Sequence, residues 1–279
     1  MTSAGRTTTS RRAPNHSIAA FFDLDKTVIA RSSALAFTRP FYSGGLINRR
    51  SMIKSAYAQL LFTLSGADED QVEKLRAHVT DMCRGWPVDQ ITSIVNETLH
   101  DIVEPLVFAE ATELITNHQS RGHDVVLISA SGMEMVEPIG AMLGVDAVRA
   151  SRMAVVDGHY SGELEFYCYG EAKADAIREL AQERGYDLAE CYAYSDSITD
   201  LPMLAAVGHP TAVNPNRALR KEAVDRGWPI LSFDRPVGMG DRLTPSPRTV
   251  AVSAAAGAGV AAIGAAFYYG WLRNRLAHH

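Results

Sequence analysis

The chain of 279 residues reads as an α/β protein built on a parallel β-sheet. Short apolar runs end in Asp or Ser, as buried strands do when they deliver a polar group to a sheet edge. Segments of helical period separate those runs, and several stop at glycine. In the second half the two kinds of segment alternate, the pattern of successive β-α units. The composition, 47% hydrophobic and 21% charged, is that of an ordinary globular protein. With 27 basic and 32 acidic residues the formal charge is −5, which argues against a nucleic-acid binder. The three cysteines, Cys83, Cys168 and Cys191, form no C-x-x-C pair. That argues against a disulfide framework and a thiolate zinc site, and suits a reducing compartment.

Residues 1–16 are polar, carry Arg6, Arg11 and Arg12, and lack apolar periodicity, so they are expected to be disordered. The apolar run from Ile18 predicts a buried strand. It stops at Asp23, too soon for an export signal despite the Arg11-Arg12 pair. After Ile29 the period is helical: Leu46, Ile47, Ile53, Tyr57, Leu60, Leu61 and Leu64 recur at spacings near three and four. Asp68 is placed to cap a helix bearing Val72, Leu75 and Val79, and a further helix follows Pro87 with Ile91, Ile94, Val95, Leu99 and Ile102. A helix carrying Leu114 and Ile115 stops at Gly122, and Val125 to Ile128 predicts a strand running into Ser129. A helix from Met133 to Leu143 follows, and Asp157-Gly158 marks a hairpin turn. Ala172 to Arg184 is an amphipathic helix stopped by Gly185, and Cys191 to Tyr194 is a strand. Leu201 to Ala206 is a short helix, and Val207–Val213 and Pro229–Phe233 are the last strands. His118 and His123 lie five apart and match no zinc motif.

The end of the chain differs. Prolines 236, 245 and 247, with Gly238 and Gly240, predict a linker over 236–249. From Val250 to Leu272 no residue is charged. A helix of that length spans about 34 Å, enough for a hydrocarbon core of roughly 30 Å. Tyr268, Tyr269 and Trp271 cluster at one end, as interfacial aromatics do. A C-terminal transmembrane helix is therefore predicted over 250–272. From Lys26 to Ala67 there is no Asp or Glu, while Lys26, Arg31, Arg39, Arg49, Arg50 and Lys54 are basic. Such a surface suits an anionic bilayer. Together these features predict a protein anchored on the cytoplasmic side of a membrane.

The chemistry gathers at predicted strand ends. In F-F-D-L-D-K-T-V, Asp23 and Asp25 follow the first strand two residues apart, a spacing that lets both carboxylates approach one Mg²⁺. Asp196 and Asp200 follow a later strand in Y-S-D-S-I-T-D-L. Ser129 ends the V-V-L-I run, and Lys173 opens a helix after Gly170. In a parallel sheet, that carboxyl edge is where ligands bind.

These residues, in this order, resemble the haloacid dehalogenase (HAD) superfamily of phosphatases, and most closely its subfamily IB, the phosphoserine-phosphatase-like branch. The first motif, D-x-D-x-T, matches Asp23, Asp25 and Thr27; the second matches Ser129; the third matches Lys173; the fourth, D-x-x-x-D, matches Asp196 and Asp200. The resemblance covers roughly residues 17–235. It implies a Rossmann-like catalytic core over 17–31 and 106–235, with an α-helical cap inserted over 32–105. It implies that Asp23 is the nucleophile and forms an aspartyl-phosphate, with Asp25 as acid and then base. It implies Mg²⁺ held by the Asp23 and Asp196 carboxylates and the Asp25 carbonyl, with Asp200 in support. Ser129 and Lys173 would hold the phosphoryl oxygens, with Thr27, Arg31 and Ser32 completing the substrate-binding set. Two departures stand out. Ser195 replaces the glycine usual before the fourth motif. The stretch V-I-A-R-S-S-A-L lacks the acidic residue with which phosphoserine phosphatases bind the substrate amine. The expected activity is Mg²⁺-dependent hydrolysis of a small-molecule or lysolipid phosphomonoester. A phosphotransferase, or a membrane-tethered regulatory protein that retains the fold, are the alternatives.

Overall fold

The computed structural model describes residues 17–47, 76–77 and 79–236. The first strand, β1 (Ala19–Phe22), is buried along its whole length. Two short helices follow, α1 (Ser33–Ala36) and α2 (Thr38–Ser43). Residues 79–83 are helical, and α3 (Val88–Ile102) starts directly after Pro87, with Ile91, Val95 and Leu99 buried. Pro87 has extended backbone and no N–H, which suits it to the residue before a helix. Next come α4 (Ala109–Ser120), β2 (Asp124–Gly132), α5 (Met133–Leu143), β3 (Ala147–Val156) and β4 (His159–Phe166). The chain then forms α6 (Glu171–Arg184), β5 (Tyr192–Ser195), α7 (Leu201–Ala205), β6 (His209–Val213), α8 (Arg217–Arg226) and β7 (Ile230–Leu231).

The seven strands form one sheet in the order β4-β3-β2-β1-β5-β6-β7. All neighbours are parallel except β3 and β4, which form an antiparallel hairpin. Its turn is Asp157-Gly158, both at positive φ (50° and 76°), as the Asp-Gly signal predicts. Side chains alternate across the sheet and build a core on each face. Ala20 and Phe22 join residues of α3, α4 and α5 on one side. Ala19 and Phe21 join α6, α7 and α8 on the other. Phe21 and Phe22 are fully enclosed, and burial of such a side chain contributes about 1.5–3 kcal/mol. The chain runs from β1 to β2 on one side and later crosses to β5 on the other. The carboxyl end of β1 is thus a point where the winding reverses, the usual ligand crevice of an open α/β sheet.

The structure revises several predicted elements. The helical period after Ile29 opens as α1 and α2, parted at Phe37, because Pro40 has no N–H to continue the ladder across the junction. The strand predicted over 125–128 runs through Ser129 to Gly132, with a register shift against β3 between those two residues. The strand predicted from Val207 begins at His209; the Gly208 N–H donates instead to the Leu188 carbonyl (2.8 Å), and a Cβ at Gly208 would clash with the Ala189 carbonyl oxygen. His118 and His123, which match no motif, are brought together: their Nδ1 atoms lie 3.0 Å apart, and His118 Nε2 lies 2.8 Å from the Tyr194 hydroxyl. Tyr192 stacks on His123 and on His209 beside them.

Among the described residues no helix is long and apolar enough to cross a membrane. The predicted N-terminal tail 1–16, residues 48–75 of the predicted cap with Arg49, Arg50, Lys54 and Asp68, the linker from 237 onward and the apolar run 250–272 lie outside them.

Candidate active site

The site is assembled at the carboxyl ends of β1, β2 and β5. The Asp23 N–H donates to the Tyr194 carbonyl (2.9 Å), which holds the backbone extended one residue beyond β1. The chain then turns sharply: the N–H groups of Val28 and Ile29 both donate to the Leu24 carbonyl, and Lys26 adopts a positive φ of 64°. This turn brings Thr27 back beneath Asp23, and the Thr27 hydroxyl donates to Asp23 Oδ2 (3.4 Å).

Lys173 enters from the first turn of α6. Gly170 starts that helix at a positive φ of 58°, a conformation suited to glycine, and the Lys173 ammonium points into the sheet edge. Lys173 is only 2% exposed. It donates to Asp23 Oδ1 (2.6 Å) and Asp200 Oδ2 (2.7 Å). The two carboxylates push its pKa up, against desolvation as the largest opposing influence. The Ser195 hydroxyl donates to the same Asp200 oxygen (2.6 Å). Asp200 therefore holds Lys173 against Asp23. The serine that replaces the usual glycine secures that arrangement from below.

Asp25 faces a second group. Its Oδ1 accepts from the Ser33 N–H (2.8 Å) at the start of α1, and its Oδ2 accepts from the Ser131 hydroxyl (3.2 Å) on β2. The Ser33 and Ser131 hydroxyls lie 2.7 Å apart. Burial raises the Asp25 pKa, and these hydrogen bonds oppose it. Ser129 is buried on the same strand, its hydroxyl accepting from the Ser131 N–H (3.2 Å).

Charge is unbalanced here. Asp23, Asp196 and Asp200 repel one another, and one buried cation, Lys173, lies among them. Burial, with the neighbouring carboxylates, lifts Asp23 to about 8 against the pull of Lys173. Desolvation is likewise the largest influence lifting Asp196, to about 6. A hard divalent cation would relieve both effects, so the donor set fits Mg²⁺. Among the described residues no group of three or more carboxylate, histidine or cysteine side chains is placed to hold a metal ion. An open set of few protein oxygens suits Mg²⁺, which keeps several of its waters.

Asp23, Thr27, Lys173 and Asp200 converge, with Asp196 close enough to raise Asp23. Ser129 lies on the adjoining strand end, and Ser32 precedes α1. Arg31 is exposed, with none of the hydrogen bonds that knit the cluster. Sequence reasoning missed Ser33 and Ser131. The signal for Ser131 was the second serine of Ser129-Ala130-Ser131, since alternate strand residues share a face. Ser33 carried no comparable signal beside Ser32.

The sequence profile of the haloacid dehalogenase-like hydrolases matches residues 20–205. A Mycobacterium tuberculosis protein named "probable phosphatase" is 60% identical over 94% of this chain and 91% of its own length. A Streptomyces azureus protein named "inhibition of morphological differentiation protein" is 57% identical over 91% of this chain and 95% of its own. Among solved structures, a phospho-aspartyl intermediate analogue of phosphoserine phosphatase superposes with a TM-score of 0.58 at 19% identity, covering 80% of this chain and 96% of that one. At that identity the likeness is one of fold.

Proposed function

The chain belongs to the haloacid dehalogenase-like hydrolases, and on that footing we propose that it hydrolyses a small-molecule or lysolipid phosphomonoester through an aspartyl-phosphate on Asp23. The observation that carries this reading is the Asp23–Lys173–Asp200 chain of contacts at 2.6 and 2.7 Å, with Asp25 two residues beyond the nucleophile. Thr27 and Lys173 orient the Asp23 carboxylate, and Lys173 reduces repulsion between it and an incoming phosphate dianion. An Asp23 oxygen forms the new bond to phosphorus as the ester oxygen departs. Asp25, lifted by burial, gives that oxygen its proton. Asp25 then takes a proton from the water that attacks the aspartyl-phosphate, and inorganic phosphate leaves. Ser129, with Lys173, binds the phosphoryl oxygens. Asp23, Asp196 and the Asp25 carbonyl would hold Mg²⁺, with Asp200 in support; bound there, the ion neutralises phosphate charge.

The test is phosphate release with Mg²⁺ across a panel of phosphomonoesters, with Asp23→Asn as the comparison and mass spectrometry of the acid-quenched enzyme. Turnover and a phosphorylated protein in the wild type, both absent from the variant, are expected. Turnover that survives in Asp23→Asn would sink the mechanism. Transfer to an added alcohol would instead favour the phosphotransferase.

The name of the Streptomyces relative, "inhibition of morphological differentiation protein", is compatible with the second reading, a membrane-tethered regulatory or scaffold protein that retains the fold. An Asp23→Asn chain that restored the phenotype of a deletion strain would support it. The uncharged run 250–272 and the acid-free stretch 26–67 support placement at the cytoplasmic face of a membrane. Release of the protein into the soluble fraction without detergent would contradict that placement.

A further inference from the structure

Beside Ser131 a cavity of about 410 Å³ opens between β2, the β3–β4 hairpin and the helical segments after β1. Ser32 and Ser131 stand in its lining, and Ser131 bonds to Asp25. The cavity therefore begins one hydrogen bond from the group proposed to protonate the departing oxygen, and its occupant is the leaving group. This inference rests on that reading of the site. The volume falls in the range of small-molecule pockets. The walls include Phe41, Trp86, Met135, Met153, Tyr160 and Tyr167. Arg76 also lines the cavity, its guanidinium lying over the Tyr167 ring at 5.8 Å. An amino-acid side chain of serine's size and polarity matches neither the volume nor the lining.

One acid interrupts these walls. Glu134, in the first turn of α5, lines the cavity. Its Oε2 is buried and has no hydrogen-bond partner among the described residues. That oxygen would lie 3.4 Å from a Cβ built on Gly132, so it sits next to the residue that follows Ser131. Two other wall residues respond to its charge. Burial first, and then Glu134, raise the Cys83 thiol to about 12 and push the Tyr160 phenol up as well. The Tyr160 hydroxyl hydrogen-bonds the Glu134 carboxylate, and neither Tyr160 nor Cys83 brings a positive charge to it. A carboxylate oxygen desolvated in this way lacks a partner that a ligand N–H would supply.

We infer that the pocket selects an apolar amino alcohol as leaving group, with its ammonium on Glu134 and its alkyl or aryl body against Trp86, Met135 and Tyr160. The counter-charge absent from V-I-A-R-S-S-A-L then comes from the start of α5. The aromatic walls add cation–π attraction to the same ammonium.

The test compares phenylalaninol phosphate with 2-methyl-3-phenylpropyl phosphate, in which a methyl replaces the ammonium, and with phosphoserine. The full-length enzyme and its Glu134→Gln and Glu137→Gln variants are assayed; Glu137 is an exposed residue of the same helix. The wild type is expected to prefer the amine over its methyl isostere at least ~10-fold in kcat/KM, through KM. Glu134→Gln is expected to bring that ratio near one, and Glu137→Gln to keep it. Phosphoserine is expected to rank below phenylalaninol phosphate. Equal use of amine and isostere, a preference that survives Glu134→Gln, or phosphoserine as the better substrate would overturn the inference. Should Glu134→Gln fail to fold, the wild-type ratio decides alone. If no ester is hydrolysed, the proposed function falls separately. The pocket is then judged by calorimetry with free phenylalaninol: binding weakened at least ~10-fold in Glu134→Gln supports the inference, and unchanged or absent binding ends it.

Discussion

The two edges of this sheet each bury a polar cluster, and they are built on opposite principles. At the amino edge His118 and His123 meet just before β2, and the Tyr194 hydroxyl reaches His118 from further along β5; the three satisfy one another as neutral groups. Burial and the neighbouring charges hold His118 down to about 4, so it carries no charge near neutrality. At the carboxyl edge, Lys173 lies among mutually repelling carboxylates, and even with Lys26 acting on Asp196 the described cations leave both Asp23 and Asp196 raised. The first cluster is complete and serves packing. The second is incomplete until a ligand arrives, which is what distinguishes a binding site from an internal network.

The contrast can be tested by breaking each cluster in turn. The largest effect is expected from Lys173→Met. Removing one partner of a buried ion pair destabilises by roughly 3–5 kcal/mol, and the variant should also lose turnover. Urea unfolding with and without Mg²⁺ checks this, and an unshifted midpoint would remove Lys173 from its structural role. Next in size is the ion itself. Mg²⁺ at 100 times its dissociation constant should stabilise the wild type by about 2.7 kcal/mol. Asp196→Asn should abolish most of that gain in a thermal-shift titration, while His118→Gln should keep it; equal gains in all three proteins would mean the ion binds elsewhere.

At the amino edge, His118→Gln should destabilise by about 1–3 kcal/mol, because the Tyr194 hydroxyl and His123 lose their partner. The sign of its pH dependence follows from a lowered folded pKa. Between about 6.5 and about 4 the unfolded chain takes up a proton that folded His118 refuses. Stability from this group is therefore present above pH 6.5 and is lost as pH falls toward 4. The wild-type unfolding midpoint should decline across that window, and the His118→Gln slope should be shallower. The smallest effect is Ser195→Ala. It removes one donor from Asp200 and should lower stability by about 1 kcal/mol, with a drop in kcat if Asp200 loses its hold on Lys173.

The two clusters were unequally legible in the sequence. Asp23, Asp25, Lys173, Asp196 and Asp200 each follow a short apolar run or open a helix, so local pattern alone brought them to one edge. The histidine–tyrosine network depends on which strand neighbours which, and His118 and Tyr194 are 76 residues apart. Ser33 and Ser131 were hidden for the same reason, since their meeting needs α1 folded against β2. Strand β3 was obscured by Arg149 and Ser151, which interrupt its apolar character. Both find partners in the fold, Arg149 on Glu183 (2.8 Å) and Ser151 on the Ala130 carbonyl (2.7 Å). Glu134 is an acid in the first turn of α5, a common place for one, and only the cavity gives it another meaning.

The β3–β4 hairpin supplies Met153, Tyr160 and Leu164 to the pocket wall but none of the residues bonded to Asp23 or Lys173. Mutations there can accumulate without touching the reacting groups. A lineage that inherits this architecture is free to drift between leaving groups while its chemistry stays unchanged, and divergence among relatives should be sought in that hairpin first.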